Sequence, residues 1–214
     1  MMAGAADGYY EFFPEELIPD GLRLVLDTWP ILPRPDRDEL ENAITGRLAA
    51  HLKRAKKARR LPFSIHFQVT PLGPDGPLPA RLDFKFLAGN DEDAYLAFEC
   101  KRLRIPRDSG LDHNTSDYVG EEGMGRFISG KYAPGQFHGA MLGYVMDGNV
   151  VDAKENVASL IKKHSTRLCI ESGGEWESSR FLPKEKDVHQ TRHHLDKGAP
   201  TQRKLALQHI FLAV

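Results

Sequence analysis

Two neighbouring stretches of this sequence carry side chains suited to metal-assisted hydrolysis: Ala80-Arg81-Leu82-Asp83-Phe84-Lys85-Phe86-Leu87, and Tyr95-Leu96-Ala97-Phe98-Glu99-Cys100-Lys101-Arg102-Leu103. Both read as strands. In the first, Leu82, Phe84 and Phe86 form an apolar face, leaving Arg81, Asp83 and Lys85 on the other. In the second, Glu99 and Lys101 share a face, and Cys100 between them points toward the core. Paired in one register, the two strands set Asp83 beside Glu99 and Lys101. Hard divalent cations such as Mg²⁺ or Mn²⁺ take one or two carboxylates plus waters and substrate phosphate. Bound there, such an ion polarises a phosphoryl oxygen and helps ionise the attacking water. Asp83 and Glu99 are the expected metal-binding carboxylates, with the main-chain carbonyl of Cys100 as an extra ligand. Lys101 is expected to orient the water and neutralise charge building on the phosphate.

The spacing alone is not specific. An acidic residue two positions before a lysine occurs at Asp83/Lys85, Glu99/Lys101 and Asp152/Lys154, about as often as composition allows. The alternative is an ordinary cross-strand ion pair between partly exposed sheet residues. Context separates the two: both stretches are strands, a turn joins them, and a helix precedes them.

That helix is read from Asp36 to about Arg60, starting near Asp38, with Leu40, Ile44, Leu48 and Leu52 recurring every four residues. It closes on Lys53, Arg54, Lys56, Lys57, Arg59 and Arg60, a basic end that suits the helix dipole. This run could touch a nucleic-acid backbone or be a solvated helix end. Phe63 to Val69 alternates as a first strand, the proline-rich Pro71 to Pro79 is a turn, and Ala88 to Asp91 breaks the second strand. The third runs from Ala94 to Ile105, completing a three-strand meander. A second helix is expected from Tyr118 to about Gly130, with Met124, Phe127 and Ile128 as its stripe. On that spacing Lys131 continues the stripe toward the sheet, with Arg126 near the site. A fourth strand runs from His138 to Met146 and a helix from Val150 to Lys163. A terminal hairpin follows, around Val188 to Leu195 and Arg203 to Val214. Residues 1–35, rich in proline and aromatics such as Tyr9, Tyr10 and Trp29, read as an extension with one short helix, packed on a domain of residues 36–214.

Other signals carry less. Gly125-Arg126-Phe127-Ile128-Ser129-Gly130-Lys131 has the spacing of a phosphate-binding P-loop up to its lysine, but Tyr132 replaces the hydroxyl residue that would reach Mg²⁺. His189, Arg192, His193 and His194 invite zinc, yet no ligand set at standard spacing accompanies them. His209, within an apolar strand, reads as a hydrogen-bonded core histidine.

At 214 residues the chain suits one domain. With 41% hydrophobic and 28% charged residues it is neither disordered nor a disulfide scaffold. Cys100 and Cys169, its two cysteines, are expected to be reduced. No apolar run is long enough to span a bilayer, and the start lacks the pattern of a secretory signal, so a cytoplasmic location without a membrane partner is expected. A formal net charge of −1 gives no global nucleic-acid footprint, though it allows a local basic groove.

The order helix, strand with Asp83, strand with Glu99-Cys100-Lys101, then helix and strand resembles the PD-(D/E)xK nucleases, the restriction-endonuclease-like superfamily. The resemblance covers roughly residues 36–146 and is strongest over 80–103. It departs at Leu82, where the family motif has proline. It implies an α/β fold with a mixed central sheet flanked by helices (α-β-β-β-α-β plus C-terminal additions) and a Mg²⁺-dependent nuclease. Asp83 and Glu99 are then metal ligands and Lys101 the catalytic lysine, with Glu41 or Glu39 as an accessory acid from the first helix. Lys85, Arg126 and Lys131 are the candidate nucleic-acid contacts. DNA is the expected substrate, with RNA as an alternative. No base-reading module is evident, so cutting has little sequence preference or a partner protein supplies targeting, as in a bacterial defence or DNA-processing system. The alternative from another class is a non-catalytic adaptor or binding subunit that keeps the fold.

Overall fold

In a computed structural model of the chain, residues 12–70, 72–73, 76–77, 81–89, 94–195 and 203–214 are described. Tyr9, Tyr10, most of the Pro71–Pro79 turn and the Asn90-Asp91 end of the strand break lie outside them.

Among the described residues a seven-stranded sheet forms from β1 (Phe63–Val69), β2 (Leu82–Ala88), β3 (Tyr95–Leu103), β4 (His138–Val145), β5 (Glu177–Ser178), β6 (Val188–Leu195) and β7 (Arg203–Ala213). Its order is β1-β2-β3-β4-β7-β6-β5. The expected meander is present: β1 pairs antiparallel with β2 (Ile65↔Phe86), and β2 with β3 (Phe84↔Phe98). β3, β4 and β7 then run parallel (Cys100↔Leu142, Leu142↔Ile210), so the sheet is mixed. The terminal hairpin also forms, with Val188 opposite Ile210, but it is no edge addition. β7 lies inside the sheet against β4, because its run Leu207 to Leu212 is buried throughout, as a strand covered on both faces must be.

Helices cover both faces. On one side α1 (Ile18–Thr28) and α2 (Glu41–Arg59) bury Ile18, Leu22, Val25, Ile44, Leu48 and Leu52 with Phe84, Phe98 and Cys100. The extension thus packs its helix into the main core. Stacked rings tie the strands together there, Phe84 on Phe98 at 4.4 Å and Phe63 on Phe86 at 4.8 Å. Leu40, expected in the apolar stripe, is instead 68% exposed: it caps α2 in an extended conformation, so helical spacing does not apply to it.

On the other face lie α3 (Thr115–Val119), α4 (Met124–Ile128) and α5 (Val150–Lys163). α5 has the expected bounds, with the Asn149 side chain accepting the Asp152 amide and Lys162 and Lys163 in the last turn. The single helix expected over 118–130 is two short ones. Gly123 is why: a Cβ there would stand 2.1 Å from the Tyr118 carbonyl oxygen, so the chain turns sharply between α3 and α4. The third strand stops at Leu103, because Arg104 takes φ +52° and turns its guanidinium onto Asp147 at 2.8 Å. No helix among the described residues is long and apolar enough to cross a membrane.

Candidate active site

The site lies where β2 and β3 part. Their ladder ends at Phe84↔Phe98, while β3 runs on to Leu103 held on its other edge by β4. The edge of β3 facing β2 therefore has backbone groups that need partners, and side chains supply them. The Cys100 amide donates to Asp83 Oδ2 at 2.7 Å, and the Arg102 amide donates to Glu41 Oε2 at 2.9 Å. Asn114 Nδ2 donates to the Arg102 carbonyl at 2.8 Å, and the Arg104 amide to the His113 carbonyl at 3.2 Å. Two carboxylates are thus pinned by main-chain donors. In a strand the N–H and C=O of one residue point the same way, so the Cys100 carbonyl is directed to the Asp83 side.

Glu99, 1% exposed, projects from the face that β3 turns to α3 and α4. Lys101 Nζ donates to Glu99 Oε1 at 2.5 Å and lies 3.6 Å from Glu41 Oε1. The Asp83 and Glu99 carboxyl groups are close enough to interact electrostatically. Arg126 Nη1 stands 3.4 Å from Glu99 Oε1 and donates to the Tyr132 hydroxyl, while Nη2 donates to Glu122 Oε2. The Tyr132 hydroxyl donates in turn to the Arg81 carbonyl, which ties α4 and the following bend to the start of β2. Gly139 in β4 lets α4 come this close: a Cβ there would be 2.6 Å from the Phe127 ring. Phe127 follows Arg126 in α4, so this contact sets the position of the helix that carries the guanidinium.

Burial dominates the electrostatics. It pushes the Glu99 carboxyl up to about 8, with the neighbouring Asp83 adding to the shift, against the pull of Lys101. Burial also raises Asp83, opposed by the Cys100 amide and Lys101, and raises Glu41, opposed by Lys101. For Lys101 burial opposes the charge, but Glu99, Glu41 and Asp83 outweigh it and hold the ammonium above its ordinary range. Lys101 is therefore a donor and a positive charge, never a base, at neutral pH.

Glu99 Oε2 is buried and, among the described residues, has no hydrogen-bond partner. A buried carboxylate oxygen left so is costly unless a proton or a cation meets it. Asp83, Glu99 and the Cys100 carbonyl are oxygen donors of the kind a hard divalent cation takes, so the residues fit such an ion. Among the described residues no group of three His, Cys, Asp or Glu side chains could hold a metal alone. An ion that keeps several waters and shares the substrate phosphate needs no such cage. A cleft of about 360 Å³ borders the site on the side of Glu41, Lys101 and Arg126, lined also by Arg102, Asp117 and Glu122 among others.

Of the residues read from sequence, the structure brings Asp83, Glu99, Lys101, Glu41 and Arg126 together. Glu39 is elsewhere, paired with Arg47 at 2.6 Å. Lys85 is corrected: it is 5% exposed with Nζ 4.7 Å from the Tyr95 ring centroid, covered rather than presented to a phosphate backbone. Lys131 is corrected too: α4 ends at Ile128, and Lys131 stands exposed on the bend beyond it instead of facing the sheet. The P-loop-like segment is helix and bend, not a loop leaving a strand. Tyr132, Glu122 and Asn114 were not singled out for the site, since only the turn between α3 and α4 and the parting of β2 from β3 bring them there.

No protein-family model, curated protein or solved structure matches this chain.

Proposed function

We propose that the chain is a metal-dependent nuclease of the PD-(D/E)xK kind, hydrolysing phosphodiester bonds in DNA at the Asp83–Glu99–Lys101 site. The observation that supports this most is the buried Glu99 Oε2, which has no hydrogen-bond partner among the described residues and is flanked by Asp83 and by a lysine held charged. A bound Mg²⁺ or Mn²⁺ supplies Lewis-acid polarisation of the phosphoryl group and lowers the pKa of water. Asp83 and Glu99 would hold the ion, with the Cys100 carbonyl beside them. The Cys100 amide fixes the Asp83 carboxylate, so that ligand is positioned before any ion arrives. Lys101 Nζ donates to the attacking water or the non-bridging phosphate oxygens and stabilises the charge that builds there. Glu41, seated on the Arg102 amide, aims that ammonium from its other side. Arg126 contributes a second positive charge for the phosphate.

One observation favours a second reading, a binding subunit without catalysis. Arg126 already stands at Glu99 Oε1, where a cation would compete with it. The test is a panel of linear, circular and single-stranded DNA and of RNA, incubated with Mg²⁺ or Mn²⁺ and with a chelator. The nuclease reading expects metal-dependent cleavage of DNA. Cleavage of RNA alone would change the substrate, and binding of nucleic acid with no cleavage of any form would favour the binding subunit.

A further inference from the structure

After Glu41 in its first turn, α2 has no acid, only cations: Arg47, then Lys53, Arg54, Lys56, Lys57 and Arg59, with Arg60 closing the helix. The run 53–60 holds six positive charges, so with −1 overall the rest of the chain carries −7. Arg47 is paired with Glu39 and Arg59 with Asp27, at 3.0 Å for the latter. Lys53, Arg54 and Lys57 are exposed and have no ion-pair partner among the described residues. Like charges three and four positions apart repel along a helix. The helix dipole offsets this only in the last turn, which leaves Lys53 and Arg54 without a local reason for their charge.

Resting on the nuclease reading, we infer that α2 is a track for the backbone of a DNA duplex, with Lys53, Arg54 and Lys57 binding phosphates remote from the cut. The helix starts at the site, where Glu41 borders Lys101. Between the two ends its exposed positions are Asn42, Ala43 and Ala50, none of which repels a phosphate. At 1.5 Å per residue, Lys53 to Lys57 lie about 18–24 Å along the helix from Glu41. At 3.4 Å per base pair this is about five to seven base pairs. Efficient cleavage therefore requires a duplex that continues about seven base pairs beyond the cut on one side. An anionic membrane suits the track less well: a surface helix inserts its apolar face, and Ile44, Leu48 and Leu52 of α2 are spent in the core.

The test is fluorescence anisotropy of the full chain on a duplex of roughly 20 base pairs, in chelator so that no cleavage occurs, across a salt series. The comparison is the triple variant Lys53→Gln, Arg54→Gln, Lys57→Gln, whose circular dichroism and melting confirm its fold. Removing three phosphate contacts should lower the slope of log K against log salt by about 3 and weaken binding tenfold or more. With Mn²⁺, the variant should raise KM on long duplexes with kcat kept and lose any preference for long flanks over short ones. An unchanged salt slope in a protein whose cleavage depends on Glu99 overturns the track and leaves the nuclease standing. A lowered slope in a protein that cuts nothing keeps the track as a binding surface and overturns the nuclease reading. Sedimentation with phosphatidylserine vesicles in place of duplex binding would also overturn the track.

Discussion

Asp83 Oδ2 accepts the backbone N–H of Cys100 at 2.7 Å, across the gap where β2 and β3 cease to pair. One carboxylate oxygen thus replaces a missing carbonyl of the ladder, while the group as a whole remains beside Glu99. The same hydrogen bond that completes the strand edge positions the acid for an ion.

This dual role separates two substitutions. Asp83→Asn keeps an oxygen acceptor for the Cys100 amide and should melt within a few degrees of the parent, yet lose Mn²⁺ binding by calorimetry. Asp83→Ala leaves that amide without its partner and should cost about 1–3 kcal/mol as well. Equal Mn²⁺ binding by the asparagine variant would remove Asp83 from the ligand set.

Lys101→Ala should lower single-turnover cleavage by about 10²–10³-fold, the scale seen when one donor to a developing oxyanion is removed. Binding of DNA should largely survive, because Arg126 and the α2 cations remain. Loss of binding in step with cleavage would assign Lys101 to substrate capture instead.

A stability prediction concerns a buried chain of neutral groups on the β6–β7 hairpin. His193 Nδ1 lies 2.7 Å from the Leu168 carbonyl oxygen, which can only accept, so this nitrogen carries the proton. His193 Nε2 then accepts from Thr191 Oγ1 at 2.8 Å, Thr191 accepts from His209 Nε2 at 2.9 Å, and the Tyr118 hydroxyl donates to His209 Nδ1 at 3.1 Å. Burial pushes His193 down to about 4 and His209 well down. Between about 4 and the ordinary histidine value near 6.5 the unfolded chain binds the proton and the folded chain does not. The contribution of these histidines is therefore complete above about pH 6.5 and lost as pH falls toward 4, by about 3 kcal/mol from His193 alone. The raised Glu99 acts in the opposite sense over the same range, so the check is the difference in stability between the parent and His193→Gln in urea melts at pH 7, 5.5 and 4.5; a difference that stays constant over that range would contradict the neutral chain.

Gly139→Ala places a methyl where the Phe127 ring now lies, 2.6 Å from its nearest atom. Overpacking of this kind costs about 1–3 kcal/mol. The larger effect should be on the site, since moving α4 moves Arg126 away from Glu99. The expected result is a folded variant with reduced cleavage; unchanged cleavage would show that Arg126 is not positioned through Phe127.

Much of this arrangement was legible in the sequence, and the failures have physical reasons. Strand alternation placed Asp83, Glu99 and Lys101 on two adjacent strands, and α5 was bounded by its own cap and charges. Lys85 was misread because alternation names the face a residue lies on, not whether that face is covered; the aromatic Tyr95 covers it. Lys131 was misread because Gly123 breaks the helix and Ile128 ends it, so a spacing carried past that point has no meaning. Glu41 was visible only as one of two helix-start acids, because the Arg102 amide that selects it is 61 residues away. Tyr132 and Asn114 reach the site only through the tertiary fold, and no local pattern signals them.

The central claim is tested most directly by single-turnover cleavage of duplex DNA at saturating Mn²⁺, comparing the parent chain with Glu99→Gln. That variant keeps the shape of the side chain and removes the charge an ion would need. Cleavage by the parent that stops with a chelator and falls at least a hundredfold in Glu99→Gln is the predicted result. Equal cleavage by both proteins, or none by the parent with metal present, would contradict it.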